Sequence, residues 1–423
     1  MNTLLRRALA RPLTTIFGTL ALAAAATAAD PAALGLEEAA RLAVTAQPLL
    51  DAQLQAVRAA REDATAAAQL PDPVLVGGVS DVMLSGPERY TLTGDGETQV
   101  MLGVKQMFPG GRERELLGSR GNAEAQRMAG ELGEQQRMVR REASMAWIGA
   151  WKAARAQQLL AEAIAEAERQ REAVDIAYRS GRASQADLLA SRVSVEVLND
   201  QLAGLAQEEW HARNQMRRWI GAEAERPLDT LLPQWPAPDA AALLAGLEKH
   251  PHLAAQAAAV EVAHAEVELA RANYVPDWSV ELAYGYRPDL ADMASLQFEI
   301  GLPAFPRKRQ DRVVESRNAG LQRAESLRED WLRQHRAEIS LNVADWVRLQ
   351  DRFRRYDESI LPQAQQRLEA ALAAYGAGSG TLLAVIDARR SLLENRMQRL
   401  DLEADATRHQ NQLQYFVSHG EQP

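Results

Sequence analysis

The segment DWSVELAYGYR, residues 277–287, alternates between two kinds of side chain without a break. Side chains of a strand point to opposite faces with a period of two, so this pattern predicts a strand with two different faces. The rest of the chain reads mainly as long, alanine-rich, charged helix. The apolar face comprises Trp278, Val280, Leu282, Tyr284 and Tyr286, and the opposite face comprises Ser279, Glu281, Ala283, Gly285 and Arg287.

Three more strands are predicted near residues 74–83, 98–107 and 295–304, and the last of them also alternates, with Phe298 on its apolar face. Segments of about ten residues with one apolar and one polar face are typical of outer-membrane barrel strands. Lipid requires every backbone group to be paired, and four strands are too few to close around a lumen. Several chains would therefore share one barrel, and three of them would supply twelve strands. The alternative is a four-stranded periplasmic sheet packed on a helix.

The first 28 residues predict a secretory signal peptide. They contain a charged start, an apolar middle and the small-residue site Ala26-Thr27-Ala28, which together form the three-part pattern of such a peptide. Cleavage near Ala28 would remove three arginines from the 48 basic residues, which face 57 acidic ones, and would leave a net charge of about −12. This acidic excess argues against a nucleic-acid partner.

The chain contains no cysteine, which excludes disulfides, thiolate metal sites and lipidation through an N-terminal cysteine. After Asp30 no apolar run reaches the roughly 18 residues that a membrane-spanning helix needs. If the protein crosses a membrane, we therefore expect it to do so with strands.

The two halves of the chain resemble each other. QPLLDAQ at 47–53 corresponds to HPHLAAQ at 250–256, and YRSGRAS from Tyr178 corresponds to YGAGSGT from Tyr375 at a spacing of 197 residues. Such self-similarity predicts a duplicated structure. Each half is expected to contain a helix, two strands, a helical stretch about 100 Å long, a glycine-containing turn and a return helix.

The predicted boundaries follow from this duplication. Helices are expected near 38–69 and 250–274, and the long helical stretches near 112–178 and 307–374. Prolines break the helical pattern between the halves, which predicts irregular structure there, with a plain interdomain linker as the alternative. The predicted domains are a signal peptide at 1–28, a first repeat at 29–220, an irregular equatorial segment at 221–249 and a second repeat at 250–420.

The return helix after the first turn carries a heptad seam, in which Leu188, Val195 and Leu202 recur every seven residues. A heptad by itself is typical of an ordinary two-helix coiled coil. Frequent alanine on the other faces instead favours a helix that packs against two neighbours. The fold class expected from these elements is mainly α with a small β part, built from two repeats of long antiparallel helices.

These features together resemble the TolC-like outer-membrane efflux factor family over essentially the whole mature chain. The resemblance is carried by the duplicated halves, the paired strands followed by very long helices, and the turn segments YRSGRASQADLLASR and YGAGSGTLLAVIDARR. It implies a homotrimer whose twelve-stranded β-barrel continues into a periplasmic α-barrel. It also implies a passive efflux conduit that docks to a periplasmic adaptor and an inner-membrane pump. LPDPVL and KQMFPGGRERE are similar to the heavy-metal branch of the family.

The resemblance and the strand pattern assign roles to particular residues. Gly181 and Gly378 would form the periplasmic tip, because glycine ends a helix cheaply with positive φ. Asp187 follows Ser184 at the capping-box spacing, whereas Asp387 would face the threefold axis as a ring of carboxylates. The residues expected to offer a surface to the adaptor are Arg182, Leu188, Leu189, Ser379, Val385 and Ile386. The residues expected to face outer-membrane lipid are Trp278, Leu282, Tyr284, Tyr286 and Phe298.

No enzyme motif was found, since the chain lacks a phosphate-binding glycine loop, HExxH and G-x-S-x-G. His250 and His252 lack nearby carboxylate ligands in the sequence and are interpreted as a solvated helix start rather than a metal site. Trp147 and Trp151, one helical turn apart, are interpreted as packing residues. We therefore expect no catalytic activity, metal or cofactor. Alternatives are a conduit for drugs or for type I protein secretion and, in a different class, a periplasmic coiled-coil scaffold.

Overall fold

The computed structural model describes residues 33–87, 89–92, 97–288 and 290–417. The predicted signal peptide at 1–28 lies outside these residues. The first repeat contains α1 (Leu36–Ala46), α2 (Pro48–Ala67), β1 (Val74–Ser80), β2 (Gln99–Phe108), α3 (Glu113–Arg179) and α4 (Gln185–Ile220). The short helix α5 (Ala240–Gly246) follows. The second repeat contains α6 (Pro251–Ala272), β3 (Trp278–Tyr286), β4 (Met293–Ile300), α7 (Gln310–Arg355), α8 (Leu361–Gly376) and α9 (Leu382–Gln414).

Proline accounts for two departures from the predicted helices. The helix expected at 38–69 is two helices, because α1 ends at Ala46 and Pro48 opens α2 as its first residue. The helix expected at 307–374 is divided by the π-helical turn Tyr356–Ile360, which directly precedes Leu361-Pro362. Pro362 has no N–H to donate within the helix, so the regular bonding pattern is interrupted at this point.

The helix α3 spans 67 residues and lies at the centre of the molecule. It packs against α2 and α4 from its own repeat and against α6 and α9 from the second repeat. A Cβ atom on Gly130 would lie only 2.8 Å from the Cβ of Ala255 in α6. The absence of a side chain at Gly130 therefore permits the close approach of α3 and α6.

The four strands form one antiparallel sheet in the order β1-β2-β3-β4. The repeats meet between β2 and β3, where Leu102 pairs with Tyr284 and Val104 pairs with Leu282. β4 ends at Ile300 rather than near residue 304, as a proline, Pro303, follows closely and cannot donate to a ladder. A mainly helical chain with a small four-stranded antiparallel part is the fold class predicted from the sequence, and it is confirmed.

The largest core cluster surrounds Trp147, which is fully buried, and its indole N–H donates to the carbonyl of Leu34 at 2.9 Å. Trp151 is also buried and donates to the carbonyl of Thr230 at 3.2 Å. The predicted packing role of both tryptophans is confirmed. The bond to Thr230 also fixes the segment between the repeats against α3, and this segment contains the helix α5.

Across the described part of the chain, no helix combines the length and apolar character needed to cross a bilayer.

Candidate functional site

Across β2, β3 and β4 the sheet has one apolar face and one mainly polar face, whereas β1 also places Val74 and Val76 on the polar side. Strand pairing places Val104, Leu282 and Leu296 in one row of the apolar face, and the row beside it contains Val280 and Phe298. Leu282 and Phe298 are 61% and 67% exposed, which is unusual for large apolar side chains aligned on a single surface. The described chain therefore leaves a continuous apolar sheet face uncovered.

The polar face is the more crowded of the two. A Cβ atom on Gly103 would lie 2.6 Å from the Cβ of Ala283 on the neighbouring strand. Directly opposed Cβ atoms in an antiparallel pair are ordinarily about 4.5–5.5 Å apart, so the side-chain directions converge on this face. Ser279 and Ala283 on this face are 6% and 3% exposed, against 61% for Leu282 on the opposite face, so the polar face is the concave, inner face of the sheet.

Charged and hydroxyl groups lie on the inner face near one end of the sheet. Lys105 on β2 forms an ion pair with Glu299 on β4, and Ser279 Oγ donates to Glu299 Oε2 at 3.5 Å. Both charged side chains remain partly open to solvent. Their polar chemistry is compatible with a water-filled interior and incompatible with exposure to hydrocarbon.

Aromatic residues occur at both ends of β3. At its start Trp278 stacks on Phe108 with ring centroids 4.3 Å apart, and at its end Tyr284 and Tyr286 are about half exposed. Eight residue steps separate Trp278 from Tyr286, which corresponds to about 26 Å along a strand. This length is close to the apolar band of about 25 Å that aromatic girdles flank in outer-membrane barrels.

The two helical turns after α3 and α8 have matching backbone geometry. Gly181 and Gly378 both adopt φ of 73°. Arg182 N–H donates to the carbonyl of Ala177 at 2.8 Å, and Ser379 N–H donates to that of Ala374 at 2.9 Å. A residue in the left-handed region with these long return bonds is the usual end of a helix that reverses direction.

Both turns lie at the same end of the molecule. Val174, Leu188 and Leu382 share one buried cluster, and Ile386 and Tyr375 pack against it. Burial raises the pKa of Tyr375, and the nearby negative charge of Asp187 raises it further. The end of α3 and the beginnings of α4 and α9 therefore form one compact tip.

The two aspartates differ in their hydrogen bonding. Asp187 and Ser184 form the predicted capping box, in which Ser184 Oγ accepts from Asp187 N–H at 3.1 Å and Asp187 Oδ2 accepts from Ser184 N–H at 3.1 Å. In the second turn Thr381 caps α9 by accepting from Ala384 N–H at 3.2 Å. Asp387 is half-buried and makes no hydrogen bond or ion pair within the described ranges. Its carboxylate is therefore open to interactions outside the chain.

The residues expected to meet an adaptor divide into buried and exposed groups. Val385 is fully buried between α8 and α9, Leu188 is buried in the tip cluster, and Ile386 packs against that cluster. Leu189 is 52% exposed, and Arg182 is also exposed, as is most of the second turn around Ser379. The first group supports the tip from inside, while the second group is accessible at its surface.

The interpretation of His250 as part of a solvated helix start is wrong. His250 is 1% exposed and packs among Trp331, Tyr415 and Phe416. The aligned segments QPLLDAQ and HPHLAAQ show that His250 and Gln47 both precede a helix-opening proline, which predicts a position at the helix cap but does not predict its burial. Within the described residues, no group of three or more histidine, aspartate or glutamate side chains has the arrangement of a metal site.

The curved sheet with an exposed apolar face, continuous with very long antiparallel helices, defines the fold of TolC-like channels. Residues 245–417 match the family model described as outer membrane efflux protein. Over these residues the chain matches a family of efflux proteins, in agreement with the resemblance predicted from the sequence. The description of that family agrees with the predicted location in the outer membrane.

Solved structures of similar fold cover nearly the whole chain. The outer membrane protein VceC from the bacterial pathogen Vibrio cholerae has a TM-score of 0.74 at 19% identity and covers 91% of this chain and 95% of its own. CusC, described in terms of folding and transmembrane channel formation, has a TM-score of 0.78 at 17% identity, with 92% and 93% covered. The outer-membrane channel OprN has a TM-score of 0.77 at 17% identity, with 92% and 91% covered. At these identities the likeness concerns the fold.

A search of curated proteins finds no match to the chain.

Proposed function

We propose that three copies of this chain assemble into a passive outer-membrane conduit of a tripartite efflux system. Twelve strands close one barrel, and the long helices continue it as a periplasmic tunnel toward an adaptor and an inner-membrane pump. The observation that carries this proposal is the set of contacts between the two repeats. For each of these contacts the duplicated structure offers an equivalent pair of surfaces, and in a single chain that equivalent pair is not in contact.

In the described part of the chain the repeats meet mainly along three seams, which are β2 with β3, α3 with α6, and α3 with α9. Since the repeats correspond, the counterparts are β4 with β1, α7 with α2, and α7–α8 with α4. In the counterparts the second repeat of one chain meets the first repeat of the next. Contacts of this head-to-tail kind close into a ring when the rotation fits, as oligomers with cyclic symmetry do.

The exposure of equivalent residues supports these counterparts. Phe108 and Phe305, like Tyr178 and Tyr375, are 197 residues apart, so α3 and α7–α8 correspond at that offset along their length. At this offset Ala150, which is fully buried in α3, corresponds to Val347, which is 47% exposed in α7. Each of the two long helices has equivalent neighbours within its own repeat. A position that is buried in α3 but exposed in α7 is therefore covered, in α3, by a helix of the other repeat.

Two further positions follow the same rule. Ser144 is buried in α3, whereas its equivalent Leu341 is 59% exposed in α7. Gly130 touches Ala255 across the seam between α3 and α6, whereas its equivalent Leu327 is 49% exposed. Leu327, Leu341 and Val347 therefore form an apolar edge of the second repeat, and the first repeat of a neighbouring chain would cover it. Burying such side chains contributes about 1.5–3 kcal/mol each.

The tip supplies the docking and selectivity parts of the proposal. The exposed residues Arg182, Leu189 and Ser379 would contact the adaptor, and the buried residues beneath them would hold the two turns in place. Three copies of Asp387 around the axis would attract cations entering from the pump. This acidic ring, with the similarity to the heavy-metal branch, favours heavy-metal cations as the exported class. The pump selects the substrate, since a wide tunnel discriminates little.

Opposite faces of β3 provide the experiment. Leu282→Arg places a cation on the apolar face, where near the bilayer midplane it is expected to cost about 2–4 kcal/mol, whereas Glu281→Arg on the inner face is expected to be milder. The measurement is the amount of heat-modifiable oligomer extracted from outer membranes. Equal losses in the two variants, or a wild-type protein recovered as a soluble periplasmic monomer, would contradict the proposal.

A further inference from the structure

One buried histidine, His250, lies where α6, α7 and the end of α9 in the second repeat meet. His250 immediately precedes α6, and its Nδ1 accepts a hydrogen bond from the N–H of His252 at 3.2 Å, so the ring caps the helix. The centroid of the ring lies 4.6 Å from that of Tyr415 and 5.4 Å from that of Trp331. We call His250, His252, Trp331 and Tyr415 the histidine joint, because they connect α6, α7 and the end of α9.

The geometry of the joint requires a neutral His250. A proton on Nδ1 would remove the acceptor that caps α6, and the resulting cation would lie at the positive end of the helix dipole. The opposite nitrogen, Nε2, is buried without a hydrogen-bond partner of good geometry, although the nearby backbone of Tyr415 favours the protonated ring. Burial and then the Arg137 guanidinium outweigh that effect and lower the pKa of His250 from 6.5 to about 4.

The first repeat makes the corresponding connection without a titratable group. Gln47 takes the place of His250 ahead of Pro48, and its Nε2 donates to the carbonyls of Arg218 and Trp219, each at 3.0 Å. At the offset of 197 residues these two carbonyls correspond to those of Tyr415 and Phe416. A primary amide does not change charge with pH, so only the second repeat carries a joint that can respond to acid.

Charged groups from every neighbouring helix bear on the joint. From α3, Glu134 bonds to Nδ1 of His252, and Arg137 donates to the carbonyls of Tyr415 and Val417 at 3.0 and 2.8 Å. The carboxylate of Glu134 favours a protonated His250, whereas Arg137 and a charged His252 oppose it.

The remaining charged groups lie on α7, around the end of α9 and ahead of α6. From α7, His335 stacks on Trp331 at 4.1 Å, and its Nε2 lies 3.8 Å from Glu338. Arg141 of α3 lies over the ring of Tyr415, and burial raises the pKa of that phenol, so it stays neutral. Glu248 and Lys249 precede His250 in the chain, and Glu248 lies 3.9 Å from Arg328 of α7.

We propose that the histidine joint is a pH-sensitive coupling, in which protonation of His250 uncaps α6 and releases the end of α9 while the equivalent joint of the first repeat stays closed. Acid would then loosen the helices of the second repeat selectively. In the assembled tunnel, only the half of each protomer that the second repeat forms would respond to the acidity of the medium.

The direction of the response follows from linkage. The folded-state pKa lies below the ordinary value, so the open joint binds a proton more readily than the closed one. Stabilisation by the joint is complete above pH 6.5 and is lost as the pH falls toward about 4. The equilibrium constant for opening of the histidine joint is expected to rise about 30-fold as the pH falls from 7.5 to 5.

Hydrogen exchange measured by mass spectrometry on the assembled full-length protein tests the proposal. Peptides covering 251–256 and 407–417 should lose protection by about 30-fold at pH 5 relative to pH 7.5, after correction for intrinsic exchange rates. His250→Asn should abolish this loss, because asparagine caps a helix well and does not titrate. His264→Asn, at an exposed position of the same helix, should retain it.

Persistence of the acid-induced loss in His250→Asn would overturn the proposal, and so would a wild-type joint whose protection does not change with pH. If His250→Asn lacks protection already at pH 7.5, His250→Gln provides the same comparison, because it reproduces the side chain of the first repeat. A pH response in peptides around Gln47 equal to that around His250 would also contradict the proposal, because it would show a general effect of acid.

Discussion

The two repeats share one order of elements but differ in what surrounds their long helices. In the first repeat α3 is enclosed by α2, α4, α6 and α9. In the second repeat α7 packs mainly on α6 and α9 and leaves one side open. The difference indicates that the second repeat is an edge of the chain, although its sequence specifies a helix as long as that of the first. A neighbouring copy would make the two environments equal.

The long helices also differ in continuity. α3 runs without interruption from Glu113 to Arg179, whereas the equivalent stretch of the second repeat contains a π-helical turn at Tyr356–Ile360. Pro362 corresponds to Ala165 of α3 at the offset of 197 residues. The turn is braced from α9, where the Arg399 guanidinium bonds to Asp357. The second repeat thus combines an interrupted helix, an open side and a titratable joint, while the first is continuous and enclosed.

The largest effect is expected from a charge placed on the open edge. Leu327→Glu would bury a carboxylate without a partner in the contact between α7 and α2 of the next copy. A buried unpaired charge costs about 3–5 kcal/mol, and every copy in the ring would carry one. We expect the assembled oligomer to be lost while the monomer keeps its helical content, as measured by size-exclusion chromatography with light scattering and by circular dichroism.

Ala319→Glu is the matched control. Ala319 is exposed in α7, and its equivalent Asn122 is exposed in the enclosed α3, so neither position faces a seam. This variant should assemble as the wild type does. If both variants lose the oligomer, the buried positions of α3 do not identify the edge of α7 that contacts the next copy, and the assignment of that edge is wrong.

A smaller effect, on selectivity rather than assembly, is expected from the two aspartates of the tip. Asp187 is occupied with the backbone and side chain of Ser184, whereas Asp387 has no partner in the described structure. Asp387→Asn should reduce the cation preference of single channels in planar bilayers and weaken block by multivalent cations. Asp187→Asn should change conductance little and destabilise α4 by about 0.3–1 kcal/mol, because a negative charge near the N-terminus of the helix is lost. Unchanged selectivity in the Asp387 variant would refute the acidic ring.

Much of this architecture is predictable from local patterns. The strict alternation of residues 277–287 predicts β3 and its two faces, since a period of two admits one arrangement only. The spacing of Ser184 and Asp187 predicts the capping box for an equally local reason. The break between α1 and α2 at Pro48 is also predictable from a local rule, because proline favours the first position of a helix over its interior.

The features that the sequence does not disclose depend on distant contacts. His250 and His252 look alike in a linear reading, but Trp331, Tyr415 and Phe416 bury His250 from other helices. In the same way, nothing in the local sequence distinguishes Leu327 from other leucines. Its expected place at an interface follows from the equivalent residue Gly130, which contacts Ala255. Burial of this kind depends on the packing of helices that are distant in the sequence.

Disulfide crosslinking between neighbouring copies tests the central claim most directly. The chain has no cysteine, so an introduced pair reports one contact only. Ala52 is the equivalent of Ala255 and Leu327 is the equivalent of Gly130, so Ala52→Cys with Leu327→Cys should bring two sulfurs together between copies. Within one chain α3 and α6 separate α2 from α7, so an internal bond is not expected.

Mild oxidation in the outer membrane should convert this double variant into a covalent trimer that a reductant returns to monomer on a denaturing gel. Ala52→Cys with Ala319→Cys should remain monomeric under the same conditions. A ladder extending beyond three chains, or a Leu327 pair that stays monomeric while the Ala319 pair crosslinks, would contradict closure of three copies into one channel.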